Sequence, residues 1–535
     1  MINKTLVFVV FCFLYNIYFT HAQNNDLTIN SKVINSSTNE PVVFATVRIK
    51  NKNLATIADE NGYFRIPKKY QIANDTIQVS SIGYETLFVP LQRLDEKIIN
   101  IIKLNTAVEK LTEVEVFAKK RIVSLKAEQI ITNAIKKIPE NYPQLNYSYI
   151  GYYRDYQLGD NEYINLNEAL VEVFDGGFQT NQYKSKFNQT LLYNYQANTN
   201  FKIDSSTAIA YDNKRNKYVP NAYLSSFGGN ELSILNIHDP IRNYKYNTFS
   251  YINILETNFI ENHNFILVGD VQFNGNTLYH IKFSSKKDFD KDLVHTKGDL
   301  YIEHLNFAIH KLEYAGYKIS EPNSSFGNRL DRIFEKDPFY TIKLEYAKQE
   351  NFMYLNYISF NNVFRTVNGD DLRVKNLIYD RSDNTITFEF NNALNPANIL
   401  NPKNYKLSYK KDPIAFDSIS LIQENKVQIY LNSDKGADLR SLNKEEITEL
   451  KYKLRNIRDT EDRKIGKVSY KTVSQFRELF VQKVFPYKLL PKDALFVDKT
   501  SPLSLAEFSI FDEDINTYWI NTPLKRTKKN DEDLP

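Results

Sequence analysis

Between Asn146 and Arg373 the chain keeps returning to one pattern, a short run dense in aromatic and β-branched residues followed by polar turn residues. The runs are Tyr147 to Tyr156, Glu168 to Phe174, Phe265 to Phe273, Thr277 to Ser284, Gly298 to Glu303, Ala308 to Tyr317, Phe339 to Lys348 and Met353 to Phe364. Such residues fit a pleated surface, and Asn274-Gly275-Asn276 between two runs is a hairpin signal. The pattern predicts a curved antiparallel β-meander of eight or more strands over 146–373. The chain holds 37 Tyr and 35 Phe. Cross-strand packing is their first expected use, and an exposed stacking face for sugars or peptides is the alternative.

Lys4, the apolar run Leu6 to Tyr15 and Thr20-His21-Ala22 before the polar Gln23 read as a secretory signal peptide over 1–22. Bulky Phe11 before Cys12 argues against lipidation. Cys12 is the only cysteine, so the exported chain is expected to carry no thiol, disulfide or cysteine-ligated metal. No later stretch has the length of a membrane-spanning helix, while a transmembrane barrel is disfavoured by the charged tail Lys525 to Pro535. At 535 residues, 42% hydrophobic and 25% charged, the composition suits several globular domains. A balance of 68 basic against 64 acidic residues supplies no field for a phosphate backbone, so nucleic acid is not an expected partner.

Residues 27–104 alternate short strands with turns: Val42 to Lys50, Asp59-Glu60-Asn61-Gly62, Tyr63 to Ile66, Thr76 to Ser81 and Gly83-Tyr84. This is β-sandwich patterning. The series Thr38-Asn39-Glu40-Pro41-Val42, Ala45-Thr46-Val47, Ala58 to Phe64 and Ser80 to Glu85 resembles the carboxypeptidase-D regulatory-like domain. The resemblance implies a transthyretin-like sandwich of the kind common in secreted Bacteroidetes proteins, with an accessory role and no peptidase chemistry. Ser31 and Asn39 stand where that family usually has glycine. The Asp59 to Gly62 segment reads as a turn, because no distal bidentate glutamate follows at calcium-loop spacing.

Over 106–143 the spacing of Ala127, Ile130, Ile131, Ala134, Ile135 and Ile138 predicts a linker helix, with Ser124 as N-cap and Pro139 as its stop. Its Ile stripe is expected to dock on the next sheet. Residues 376–474 form a second sandwich pattern that looks like a bacterial Ig-like module, with a helical turn at Asn443 to Leu450. Prolines at 486, 491, 502 and 523 predict an extended, irregular segment over 475–535 that packs back on an earlier domain and ends in a disordered tail. Gly298 to Glu303 followed by Ala308 to Glu313 faintly resembles strands of periplasmic lipoprotein-carrier half-barrels. The arrangement with Gly228-Gly229-Asn230-Glu231-Leu232 and Asp239-Pro240-Ile241-Arg242-Asn243 is similar to Bacteroidetes envelope proteins, a resemblance that supplies no mechanism.

No catalytic, cofactor-binding or metal-ligating residue is assigned. H-E-x-x-H, G-x-S-x-G and a phosphate loop are missing, and Gly228-Gly229 and Gly176-Gly177 read as turns. His310-Lys311-Leu312-Glu313 has the H-x-x-E spacing of a zinc site, but residues i and i+3 of a strand point to opposite faces. The expected fold is mainly β and multidomain: a transthyretin-like sandwich, a linker helix, a curved meander and an Ig-like sandwich. The expected role is that of a non-catalytic exported envelope scaffold or docking protein, periplasmic or associated with the outer membrane, with another envelope protein as partner. A lipid or glycan carrier using the 146–373 sheet is the alternative, and a hydrolase with two close carboxylates the third reading.

Overall fold

The computed structural model describes residues 28–524 apart from 53, 108–124, 160–161, 206, 208–210, 213–215, 218–229, 248–251, 253, 287–293, 319–335, 368–370, 435–437, 439, 448, 468–469 and 511–516. The expected signal peptide, Ser124, Gly228-Gly229 and the charged tail lie outside the described residues. The architecture is mostly β and multidomain, as the patterning predicts. The chain forms two compact units, the smaller being Asp204–Ala208 with Phe364–Val473.

The N-terminal domain of the larger unit pairs a three-stranded sheet (Tyr63–Pro67, Thr28–Asn35, Asn100–Leu104) with a four-stranded one (Leu54–Ile57, Thr46–Ile49, Thr76–Ser80, Leu87–Pro90). Alternate residues such as Val47, Ile49, Ile77 and Val79 fill the space between them. The Asp59 turn forms as read: the Asp59 carboxylate accepts the backbone N–H groups of Asn61 and Tyr63 at 2.8 and 2.9 Å. Gly62 takes φ +78°, and a Cβ there would lie 2.4 Å from the Val33 carbonyl oxygen. Asn39 adopts φ 58°, which explains how asparagine serves where glycine is usual.

A ten-stranded open sheet is the larger body. Its order is Gln189–Ala197, Glu162–Asp175, Tyr147–Gly159, Tyr470–Pro486, Phe352–Val367, Tyr340–Gln349, Ile309–Lys318, Val294–Glu303, Asn276–Ser285 and His263–Phe273. Asn274 and Gly275, both at positive φ, close the predicted hairpin. The structure differs from the expected boundary at 475: Tyr470–Pro486 is a regular strand in the middle of the sheet, joining the meander 147–197 to the meander 263–367, and it stops at Pro486.

Both faces of the sheet's central strands are covered. On one, Tyr147, Tyr149, Leu300, Ile302 and Leu312 pack with the Ile stripe of the helix Ala127–Lys136 and with Leu232, Leu235 and Phe259. The Gln129 side chain accepts the Lys126 N–H at 2.9 Å at the start of that helix, and Pro139 lies in the first turn of a further short helix, Ile138–Asn141. On the other face, Ile150 and Leu170 join the core of the N-terminal domain, and Tyr152, Tyr357 and Phe480 meet Phe44 and Ile57. This explains why Tyr147–Gly159 is buried almost throughout.

In the smaller unit a four-stranded antiparallel sheet (Val374–Asp380, Thr385–Phe390, Lys426–Leu431, Phe416–Gln423) faces a three-stranded one (Asp412–Pro413, Tyr405–Tyr409, Leu450–Leu454) around Phe388, Phe390, Leu407 and Ile429. A short helix, Lys444–Ile447, is capped by the Asn443 carboxamide oxygen, which accepts the Glu446 N–H at 2.8 Å.

Candidate functional site

Period-two alternation sends Ile150, Tyr152, Arg154 and Tyr156 toward the N-terminal domain and Tyr147, Tyr149 and Tyr153 away from it. Beneath the domain this creates a buried ionic cluster. Arg154 donates from Nε to Glu478 at 2.5 Å with both side chains 1% exposed, and its guanidinium lies between the Tyr156 and Phe480 rings. Tyr357 donates to Glu478 at 2.7 Å, Tyr152 to Glu168 at 2.6 Å, and Tyr156 and Tyr163 to Glu60 of the N-terminal domain at 2.8 and 3.0 Å. Burial pushes these tyrosines upward, so they stay protonated and donate. Burial, reinforced by Glu60, pushes Asp59 up to about 7. Each carboxylate has its donors, so the cluster fastens domain to sheet.

The sequence motif at 239–243 is explained in the same structural way. The Asp239 carboxylate accepts the Ile241 and Arg242 N–H groups and the Tyr346 hydroxyl, while Arg242 grips Asp175 through two 2.7 Å bonds and reaches the Gly177 and Thr180 carbonyls. Asn230 caps the helix Glu231–Ile237 by accepting the Ser233 N–H at 2.8 Å. Gly177 turns the chain at φ +93°. A pair of carboxylates that sequence could not place, Asp155 and Glu231, lies near Arg477, and burial with help from Asp155 pushes Glu231 up to about 8.

The histidines are dispersed along the sheet with separate partners: His280 with Asp299, His304 with Asp270, His310 with Glu303, His263 with the Phe259 carbonyl and His238 with the Ile234 carbonyl. Strict alternation does not hold at His310, because a bulge shifts the register between Tyr301 and Ile302 and sends both Ile309 and Leu312 to the core. Even so, His310 is held by Glu303 at 2.9 Å and Glu313 by Lys311 at 2.9 Å. Among the described residues no group of three or more His, Cys, Asp or Glu is arranged to hold a metal ion.

What the seam leaves open is a polar cleft of about 360 Å³ between the N-terminal domain and the sheet. On the domain side Arg48 opposes Gln78 and Thr46 opposes Ser80, so the four share the face turned from the domain core. On the sheet side stand Glu345, Gln349, Asn356, His310, the Phe273-Asn274 turn and Pro486. The cleft is pinned by Asn356 donating to Thr46 at 3.1 Å, by Thr86 donating to Asn274 at 2.9 Å and by the Gly83 N–H donating to the Gln272 carbonyl at 3.4 Å. Sequence reading passed over Arg48, whose only signal is a basic residue between two core-facing ones.

Residues 29–116 match the family described as CarboxypepD_reg-like domain, which supports the N-terminal resemblance. Among curated proteins none matches the chain significantly. Similar solved structures include a LolA superfamily protein from Nitrosomonas europaea (11% identity, TM-score 0.19, 45% of this chain and 86% of that one). Others are a DUF1329 family protein from Desulfovibrio piger (9%, 0.20, 44% and 85%) and a putative outer membrane lipoprotein-sorting protein domain from Vibrio parahaemolyticus (10%, 0.21, 44% and 86%). A likeness of this size assigns neither a fold nor a role to this chain.

Proposed function

We propose that the chain is a non-catalytic, exported docking protein of the cell envelope, in which the CarboxypepD_reg-like domain and the smaller sandwich, read as an Ig-like module, are accessory scaffolding. The observation that carries this is how the large sheet is finished. Both faces of its central strands are covered by the chain itself, and the edge Gln189–Ala197 is capped where the Val497 and Ser509 N–H groups donate to the Thr190 and Leu192 carbonyls at 2.8 Å. The opposite edge, His263–Phe273, presents Ile266, Leu267 and Val268 at 67, 39 and 52% exposure. A bulge between Leu267 and Gly269 disturbs the ladder there, so the edge offers apolar contact more than strand addition. The occupant in this reading is an apolar segment of an envelope protein. A carrier of an acyl chain would need the helix-covered face to open.

The reading is tested with a photo-cross-linking amino acid at Val268 in the full chain, expressed in its native envelope, with Ile72 as an exposed control on the N-terminal domain. A reproducible envelope protein captured at Val268 and not at Ile72 is expected, and lost on Val268→Lys. Lipid without protein at Val268, or the same captures at both positions, overturns it.

A further inference from the structure

We propose that the seam cleft binds a small polar anion, whose carboxylate or phosphate group is taken by the Arg48 guanidinium. Several cations elsewhere in the unit are paired with a carboxylate: Arg154 with Glu478, Arg242 with Asp175, Lys311 with Glu313. Arg48 is half-buried in the cleft wall and makes no hydrogen bond or ion pair with any described residue. Burial lowers its proton affinity, and no nearby carboxylate offsets that effect. An uncompensated, partly desolvated cation is costly unless something binds it.

The other charged groups of the cleft have partners. Glu345 shares Lys311 with Glu313, at 3.8 Å against 2.9 Å, and takes a hydrogen bond from Asn356, and His310 is tied to Glu303. Lys348 and Glu350 stand exposed at the rim and offset one another in charge. Around Arg48 the neutral polar groups of Gln78, Ser80, Asn274 and Gln349 line the space, which suits hydroxyl groups and not an acyl chain. The volume falls in the usual range of small-molecule pockets, about 300–1,000 Å³. A guanidinium fork matches a planar carboxylate or a phosphate. The ligand class is therefore a sugar acid or sugar phosphate, and it would touch both walls of the seam. This site stands whether or not the edge at Val268 docks a partner.

The test is isothermal titration of the full chain at low salt with glucuronate, glucose 6-phosphate and neutral glucose, comparing wild type with Arg48→Met and Arg48→Lys. At least one charged sugar is expected to bind wild type about tenfold or more tightly than glucose, with carboxylate and phosphate told apart by which one binds. Arg48→Met weakens that binding about tenfold or more, and Arg48→Lys falls between. Without ligand, Arg48→Met melts no lower than wild type, because it removes an unanswered charge. Failure of both anions to bind wild type below about 10 mM, equal binding by Arg48→Met, or a clear loss of melting temperature in that variant without ligand each overturns the proposal.

Discussion

Trp519 is the only tryptophan and sits 7% exposed in a strap laid between the N-terminal domain and the strand Tyr470–Pro486. The strap is held at named points. Gln482 donates to the Trp519 carbonyl at 2.6 Å and accepts its N–H at 3.2 Å, and Tyr70 donates to the Thr517 carbonyl at 2.7 Å. The Asn521 carboxamide accepts the Arg65 N–H at 2.9 Å and donates to the Ile57 carbonyl at 3.3 Å, which finishes the open edge of the three-stranded sheet. Burying an indole removes about 150–250 Å², or roughly 4–6 kcal/mol, from water. The Trp519 indole N–H is buried without a partner, which returns about 1–3 kcal/mol of that. A Gln482→Leu, Asn521→Ala double variant leaves four buried backbone groups unpaired at about 1–3 kcal/mol each, so the loss matches or exceeds the indole's contribution. The strap should release while the sheets persist. Trp519 fluorescence reports it directly: wild type emits in the blue and resists acrylamide, each single variant lowers the urea midpoint, and the double variant emits red-shifted without denaturant while far-UV circular dichroism is kept. Trp519 as protected in the double variant as in wild type, or already quenched freely in wild type, would refute this account.

Removing Arg242 strands Asp175, 3% exposed, without its cation, so Arg242→Met should cost about 3–5 kcal/mol in urea unfolding. Arg154→Met should cost a similar amount by isolating Glu478, and adding Glu478→Gln should recover part of it in a double-mutant cycle. His238, 1% exposed and stacked on Phe360, is pushed down to about 4 by burial, so the folded chain holds it neutral while the unfolded chain protonates near 6.5. Its contribution is therefore complete above about pH 6.5 and is lost as pH falls toward 4, at most about 3 kcal/mol, and His238→Phe should flatten that part of the stability profile measured against wild type. Gly62→Ala should destabilise by roughly 1–3 kcal/mol, read as a lower melting temperature, because alanine meets both the positive φ and the Val33 carbonyl.

Strand existence was legible because the larger sheet obeys local rules: Phe265 to Phe273 and Thr277 to Ser284 extend by only a few residues to His263–Phe273 and Asn276–Ser285, with Asn274-Gly275 between them. The return of Tyr470–Pro486 to the middle of that sheet was not. Phe476-Arg477-Glu478-Leu479-Phe480-Val481 carries two charges that look like surface in one dimension, and what buries them is remote. Glu478 answers Arg154, 324 positions away, and Arg477 donates to Asn362 at 2.8 Å. The zinc-spacing argument at His310 shows the same limit from the other side, since periodicity assumes an unbroken strand and a bulge of one residue removes the assumption.

The seam cleft belongs to neither domain's pattern. Thr46, Arg48, Gln78 and Ser80 are ordinary outward residues of a small sandwich, and Glu345, Gln349 and Asn356 are ordinary residues of a long sheet. The buried Arg154 cluster, the Trp519 strap and the Asn356 and Asn274 bonds fix one register between the two, and that register leaves Arg48 in the cleft wall unpaired with any described carboxylate. Loosening the strap should therefore weaken anion binding at a cleft that Trp519 does not line, whereas Arg242→Met, on the helix-covered side of the sheet, should leave the affinity of the folded chain unchanged. Equal affinities in the strap double variant and wild type would separate the cleft from the seam that is argued to shape it.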